Sequence, residues 1–344
     1  MRDYLRVRSG ERSGERRVGS LRHVGIMANY ACNAACRHCL YACSPDRGGG
    51  YITQAAAEKT CELLIEGGCY SVHIGGGEPF LDFDGLLALV ETLGRAGISI
   101  DYIETNAYWA EDPGAAQRLG ALRRAGADAL CISVDPFHAE YVPVKLPLKL
   151  AEICRSAGFG YFLWQERYVR ALSKRDAAYS RGELERALSR DYIFATAKSY
   201  GIRLGGRAVN IEEEFTKNKP LESLLDAQPC RGLLSGGCHT DVNVMYIPSG
   251  CTGIAFPLEE AVRGVPIGKY PAFDALFEGG VAGLLRHAQA LSFAARPQGY
   301  PSGCALCFHI RQWLCADASR RAARHPELDP EHYAESLRHY SLHD

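Results

Sequence analysis

The sequence predicts an α/β chain: a partial (β/α)6 barrel followed by a smaller α+β unit that carries a β-hairpin. Three observations predict it. From residue 24 onward, short β-rich runs alternate with segments of helical period; after residue 207 the alternation stops and Gly and Cys become dense; and the cysteines cluster in two sets, three between residues 32 and 39 and six between 230 and 315.

Taken in order, the strands are expected at 24–28, 71–74, 98–104, 129–134, 161–164 and 202–204. Helices are expected near 53–66, 83–95, 114–124 and 146–156, and from the fifth strand up to residue 200. Six such units imply a parallel sheet, closed or partly closed in the TIM-like manner. In folds of this kind the chemistry sits at the C-terminal ends of the strands, and the notable polar clusters fall there. Residues 229–251 read instead as two short strands, with the hairpin at 239–248. A boundary near 215 is expected. It divides the chain into a basic flexible tail (1–22), the barrel (23–215), an auxiliary unit (216–320) and a C-terminal helical tail (321–344) rich in Arg and His.

With 344 residues the chain is long enough for one large core and an appended module. Hydrophobic residues make up 47%, charged residues 23%, and the net charge is -1. These values point to no nucleic-acid or membrane surface. No apolar run approaches the length of a membrane span, and no secretory core follows the first charges, so a soluble cytoplasmic protein is expected. Fourteen cysteines are many for a reducing compartment, where clustered thiols more often hold metal than form disulfides.

The segment from Ala28 to Cys39 follows the first strand and places Cys32, Cys36 and Cys39 on one loop at CxxxCxxC spacing. Thiolates are soft ligands for iron-sulfur clusters or zinc, and three of them leave a fourth position open, which implies chemistry rather than scaffolding. A zinc knuckle is the competing reading. The spacing and its position resemble the radical S-adenosylmethionine superfamily. That resemblance implies that the three cysteines hold three irons of a 4Fe-4S cluster and that S-adenosylmethionine chelates the fourth. Reductive cleavage then yields a 5'-deoxyadenosyl radical.

The resemblance extends over residues 22–210 and implies further cofactor-binding residues. His38 stands where the family places an aromatic against adenine. Gly76, Gly77, Glu78 and Pro79 resemble the family's GGEP motif, which meets the methionine ammonium. Glu104 and Asn106, and then Ser133 and Asp135, end strands where the family reaches the ribose. Arg207 either pairs with the methionine carboxylate through its planar fork or is an ordinary surface residue.

Cys304-Ala-Leu-Cys307 is a metal-type pair, Cys230 precedes the expected hairpin and Cys251 follows it. This arrangement resembles the SPASM or shorter twitch domain of the same superfamily. It implies that Cys230, Cys251, Cys304 and Cys307 hold one auxiliary 4Fe-4S cluster. The customary hairpin Gly is absent near Val244. Cys238 and Cys315 have three readings: ligands in place of Cys230 or Cys307, buried inert thiols, or hydrogen donors to a substrate radical. Cys61, Cys69, Cys131 and Cys154 lie in periodic segments and are expected in the core. His138, beyond Asp135, is either a substrate contact or a structural histidine, and Trp164, Gln165 and Glu166 end the fifth strand where the cavity is expected.

The resemblance therefore implies an enzyme of oxidoreductase or epimerase type in natural-product biosynthesis. Its substrate is a sugar, an aminocyclitol or a ribosomal peptide. Lack of room for an N-terminal peptide-recognition domain favours the small molecule. A flavodoxin- or ferredoxin-type reductant is the implied partner. A ribosomal peptide maturase, or a non-catalytic iron-sulfur electron carrier or sensor, are the alternatives.

Overall fold

The computed structural model describes residues 14–18, 21–48, 50–200, 205–234, 237–248, 250–316 and 324–338. The expected sixth strand, 202–204, lies outside them, as does the start of the expected C-terminal helix near residue 318. The strands are β1 (Glu15–Arg16), β2 (His23–Met27), β3 (Ser71–Gly75), β4 (Ser99–Thr105), β5 (Ala129–Ser133), β6 (Gly160–Trp164), β7 (Gly237–Thr240), β8 (Met245–Pro248), β9 (Phe256–Pro257) and β10 (Val265–Pro266).

Eight of these form one sheet in the order β6-β5-β4-β3-β2-β7-β8-β9. Neighbours from β2 to β6 pair in parallel, as the alternation of strand and helix requires. The helices Gln54–Glu66, Phe83–Arg95, Ala115–Ala125 and Lys145–Ala157 make the crossovers. Their ends carry local signals. Thr53 and Asp82 cap the first two by accepting from the amides of Ala56 and Gly85, and Gly126 and Gly158 end the last two in the left-handed conformation.

The helix Phe83–Arg95 shows how the crossovers are held. Leu86, Leu89, Val90 and Leu93 recur at helical spacing and are at most 2% exposed. Burial of each is worth about 2 kcal/mol, and Leu93→Ala would cost about 3 kcal/mol through the cavity it leaves. Successive strand residues face opposite sides. Ile26, Ile74, Ile103, Leu130 and Ile132 are fully buried on the helix side. The alternate positions Gly25, His73, Tyr102, Glu104, Cys131 and Phe162 are left for the barrel interior.

The structure departs from the sequence reading in three places. Residues 14–18 belong to the expected tail, yet Glu15–Arg16 pairs with Val265–Pro266 and Arg16 forms ion pairs with Asp274 and Glu278. In place of one helix up to residue 200 there are three, Val169–Leu172, Arg181–Ala187 and Tyr192–Tyr200, with Ser180 opening the second through a capping box. The hairpin β7–β8 forms where expected, but β7 also pairs in parallel with β2. The hairpin thus continues the barrel sheet. In its turn, Asp241 accepts from the amides of Asn243 and Met245, and Val244 occupies the left-handed region at φ 57°.

Candidate active site

A cavity of about 480 Å³ opens at the C-terminal ends of β2 to β6. The loop carrying Cys32, Cys36 and Cys39 forms one wall, and the turn Gly76–Gly77, the ends of β4 to β6, His73 of β3 and His239 of β7 line the rest. The loop is held by its backbone. The Arg207 side chain, 1% exposed, donates from Nε to the Cys36 carbonyl at 2.9 Å and from Nη2 to the Cys43 carbonyl at 2.6 Å. Its own amide donates to the Cys39 carbonyl at 3.1 Å. Tyr141 donates to the Ala35 carbonyl and Arg37 pairs with Glu140 at 3.2 Å.

The Gly-Gly-Glu turn is fixed against the strand end that launches the loop. Gly77 N donates to Asn29 O, Glu78 N donates to Ala31 O, and Asn29 Nδ2 donates to the Glu78 carbonyl. The approach is closer than a side chain allows: a Cβ on Gly77 would lie 1.9 Å from the Ala31 oxygen, and Gly76 has φ 149°. Backbone groups of this turn therefore reach the cavity next to the thiols.

Several expected cofactor contacts are placed differently. The Glu78 carboxylate accepts from Phe80 N, Thr105 Oγ1 and Asn106 N, at 3.2, 2.9 and 2.7 Å, so it braces the next strand end. Burial raises its pKa to about 7. Asp135 is fully buried, caps its helix through the amides of Phe137 and His138, and meets His138 Nδ1 at 2.5 Å. Burial opposes the protonation of His138, but Asp135 outweighs it and raises the pKa. Neither Asp135, Pro79 nor Arg207 lines the cavity. Arg207 is no surface residue either: Nε and Nη2 bind the loop carbonyls and Nη1 is buried without a hydrogen-bond partner among the described residues.

His38, His138, Gly76, Gly77, Glu78, Glu104, Asn106, Ser133 and Trp164 do line it. The His38 ring stacks on Phe137 at 4.6 Å and meets His138 edge-on at 5.0 Å. His38, Asp135 and His138 also stand close enough to share a metal ion.

The thiol environments suit metal. Ala34 N donates to Cys32 Sγ at 3.4 Å and Cys43 N donates to Cys39 Sγ at 3.3 Å. The neighbouring Cys43 thiol, with help from Arg207, holds Cys39 well below the ordinary thiol range. Burial pushes Cys32 up to about 12 and Cys36 well above its usual value, so both are neutral until a metal displaces the proton. Three soft thiols beside a cavity with exposed backbone groups fit an iron-sulfur cluster with one externally ligated iron.

In the C-terminal set, Cys230 and Cys251 are hydrogen-bonded, and the Cys251 thiol lowers Cys230 to about 6. A Cβ on Gly232 would lie 2.8 Å from Cys251 Sγ and 3.7 Å from Cys230 Sγ. Cys304 and Cys307, one turn apart at the start of the helix Gly303–Ala316, are electrostatically coupled to Cys230. Arg311, 3% exposed, donates to Thr252 O and Tyr333 Oη and interacts with Cys307 and Cys251. Cys238 sits in β7 beside Cys69, and Cys315 sits against Tyr333. Neither lines the cavity, so the geometry does not support a role for either as a hydrogen donor inside it.

Cys61, Cys69 and Cys154 are core residues as expected, but Cys131 lines the cavity at the end of β5, as does Cys43. Sequence reasoning also missed His73, Tyr102, Phe162 and His239, which line it too. A signal was present: His73, Tyr102 with Glu104, and Cys131 with Ser133 occupy alternate positions of strands that are otherwise apolar.

Residues 27–173 match the family model described as the Radical SAM superfamily. Members of that superfamily are enzymes. No curated protein matches the chain. Among solved structures it is similar to BtrN in complex with AdoMet and 2-DOIA, with 20% identity, TM-score 0.27 and coverage of 33% of this chain and 45% of that one. It is also similar to Streptococcus suis SuiB bound to S-adenosylmethionine (15% identity, TM-score 0.35, 84% and 77% covered). Native anSMEcpe with bound AdoMet shows 13% identity, TM-score 0.39 and coverage of 66% and 74%. The matched part spans less than half of BtrN. Among the described residues no helix is long and apolar enough to cross a membrane.

Proposed function

We propose that this chain is a radical S-adenosylmethionine enzyme acting on a small molecule such as a sugar or aminocyclitol, to oxidise or epimerise it. The observation that carries the reading is the convergence of Cys32, Cys36 and Cys39 with the exposed turn Gly76–Gly77 on one cavity. When bound, the cluster and S-adenosylmethionine supply a carbon radical able to remove hydrogen from an unactivated C–H bond. The protein's own part is to hold and to exclude. Arg207 fixes the loop that presents the thiols, Glu78 braces the ends of the neighbouring strands, and Asn106 stands 3.9 Å from Cys32 Sγ.

In the same proposal Cys230, Cys251, Cys304 and Cys307 hold one auxiliary 4Fe-4S cluster, and the buried Arg311 offsets part of its charge. Residues 23–215 then act as the barrel and 216–320 as an auxiliary unit that extends its sheet. A flavodoxin- or ferredoxin-type protein supplies the electron. The test is anaerobic reconstitution followed by reduction with dithionite in the presence of S-adenosylmethionine. Release of 5'-deoxyadenosine is expected. A colourless protein holding zinc, or a reduced cluster protein that never releases the nucleoside, would reject the reading.

A further inference from the structure

Below the cysteine loop, the barrel interior is polar where a packed barrel is apolar. The register places Gly25 of β2 between His73 of β3 and His239 of β7. The missing side chain lets the two imidazoles meet, with Nε2 to Nε2 at 3.2 Å; a Cβ there would lie 2.4 Å from His73 and 2.3 Å from His239. Tyr102 stacks on His73 at 5.2 Å and Phe162 meets Tyr102 edge-on at 5.3 Å. Glu104 pairs in register with Cys131, and its carboxylate lies over Gly75.

This layer is under-satisfied. No hydrogen bond from a described residue reaches the Glu104 carboxylate. Tyr41 Oη and His239 Nδ1 are buried without a partner. Among the described residues no arginine or lysine lines the cavity. The groups able to carry positive charge that act on Glu104 are His73 first and then His138, and Asp135 already compensates His138 at 2.5 Å. Burial and its neighbour His73 lower His239 to about 3, so it stays neutral. A carboxylate taken from water without a partner is costly, and so are orphaned hydroxyl and imidazole groups. The aromatic faces of Tyr102, Phe162 and Trp164 stand beside them on the same wall, suited to the apolar face of a ring.

We propose that Glu104, His239 and Tyr41 form the subsite for the polar edge of the substrate, and that it takes a small hydroxylated ring carrying an ammonium group directed at Glu104. The proposal rests on the reading that the cavity holds S-adenosylmethionine together with a small molecule. Since both share about 480 Å³, a single ring reaches the layer.

The test is calorimetric titration of the reconstituted full chain, with S-adenosylmethionine present, in mildly acidic buffer. The probes are glucosamine, glucose and glucuronate. Glucosamine should bind at least about tenfold tighter than glucose, and glucuronate more weakly than either. Glu104→Gln should reduce the preference for glucosamine to less than about twofold. Tyr41→Phe should weaken glucosamine and glucose by similar factors, with circular dichroism unchanged in both variants. Three results would overturn the subsite: glucosamine no tighter than glucuronate, or neither bound; a preference that survives Glu104→Gln; or Glu104→Gln weakening S-adenosylmethionine while leaving the probes unaffected, which assigns the carboxylate to the cofactor. Absence of 5'-deoxyadenosine from the wild type would reject the radical reading and leave the probe results standing.

Discussion

The two cysteine sets solve opposite problems. The front set takes three thiols from one short loop and turns them toward a cavity, with Arg207 gripping the loop's carbonyls from behind. The rear set takes thiols from three separate elements, before the hairpin, after it and at the start of the helix Gly303–Ala316, with the buried Arg311 acting on Cys307 and Cys251. A loop that supplies one ligand too few keeps a position for something else to bind. In the proposed reading, elements that converge on one cluster close the position. The lesson is that the number of sulfurs matters less than whether the backbone leaves one direction free.

The largest effects test that contrast directly. Alanine at Cys32, Cys36 or Cys39 should remove about half of the bound iron and abolish 5'-deoxyadenosine release. Alanine at Cys304 or Cys307 should also remove about half of the iron, yet leave the spectroscopic change caused by S-adenosylmethionine at the front cluster. Cys43→Ala marks the border between the sets, because the Cys43 thiol touches Cys39. Its iron content should stay at the wild-type level. Loss of a whole cluster in that variant would mean that the front loop closes on itself like the rear set.

Arg207→Met should come next. It removes two charge-assisted bonds to carbonyls from a side chain 1% exposed and should destabilise the fold by about 3 kcal/mol, read by denaturant unfolding. Arg207→Lys should recover only part of this, since an ammonium cannot span both carbonyls as a fork does.

Glu327 probes the rear region. It is fully buried, accepts from the amides of Ala272 and Phe273, and burial raises it from 4.5 to about 7. The folded chain keeps this carboxyl protonated to a higher pH than the unfolded chain does. Its stabilising share is therefore complete below about pH 4.5 and lost as the pH rises past about 7, a change of about 3 kcal/mol. Glu327→Gln should flatten that part of the pH-stability curve. The smallest effect belongs to Val244, a β-branched residue at φ 57° in the hairpin turn. Val244→Gly should stabilise by about 1 kcal/mol in thermal unfolding, with iron content unchanged.

Much of the front region was legible because its signals are local. The CxxxCxxC spacing lies on one loop, and the first five strands announce themselves by alternating with helices of ordinary length. What stayed hidden depends on residues far apart in the chain. Nothing local to residues 237–240 says that they pair with β2, which lies more than two hundred residues away. Glu78, Asp135 and Arg207 read as ligands in sequence; their bonds to amides, an imidazole and carbonyls are set by the fold, while Glu78 still lines the cavity and Arg207 Nη1 is left without a hydrogen-bond partner among the described residues. Cys131 reads as core because its strand is buried on both faces, and composition cannot say which face opens into a cavity.

The pairing of β7 with β2 also bears on how the chain can be divided. His239 reaches the interior from a strand beyond residue 215, so part of the wall facing the reactants is contributed by the unit that carries the rear thiols. A fragment ending at the helix Ala208–Phe215 would expose the hydrogen-bonding edge of β2 and lack one side of its own chamber. Replacing the segment beyond residue 215 would therefore redraw the pocket.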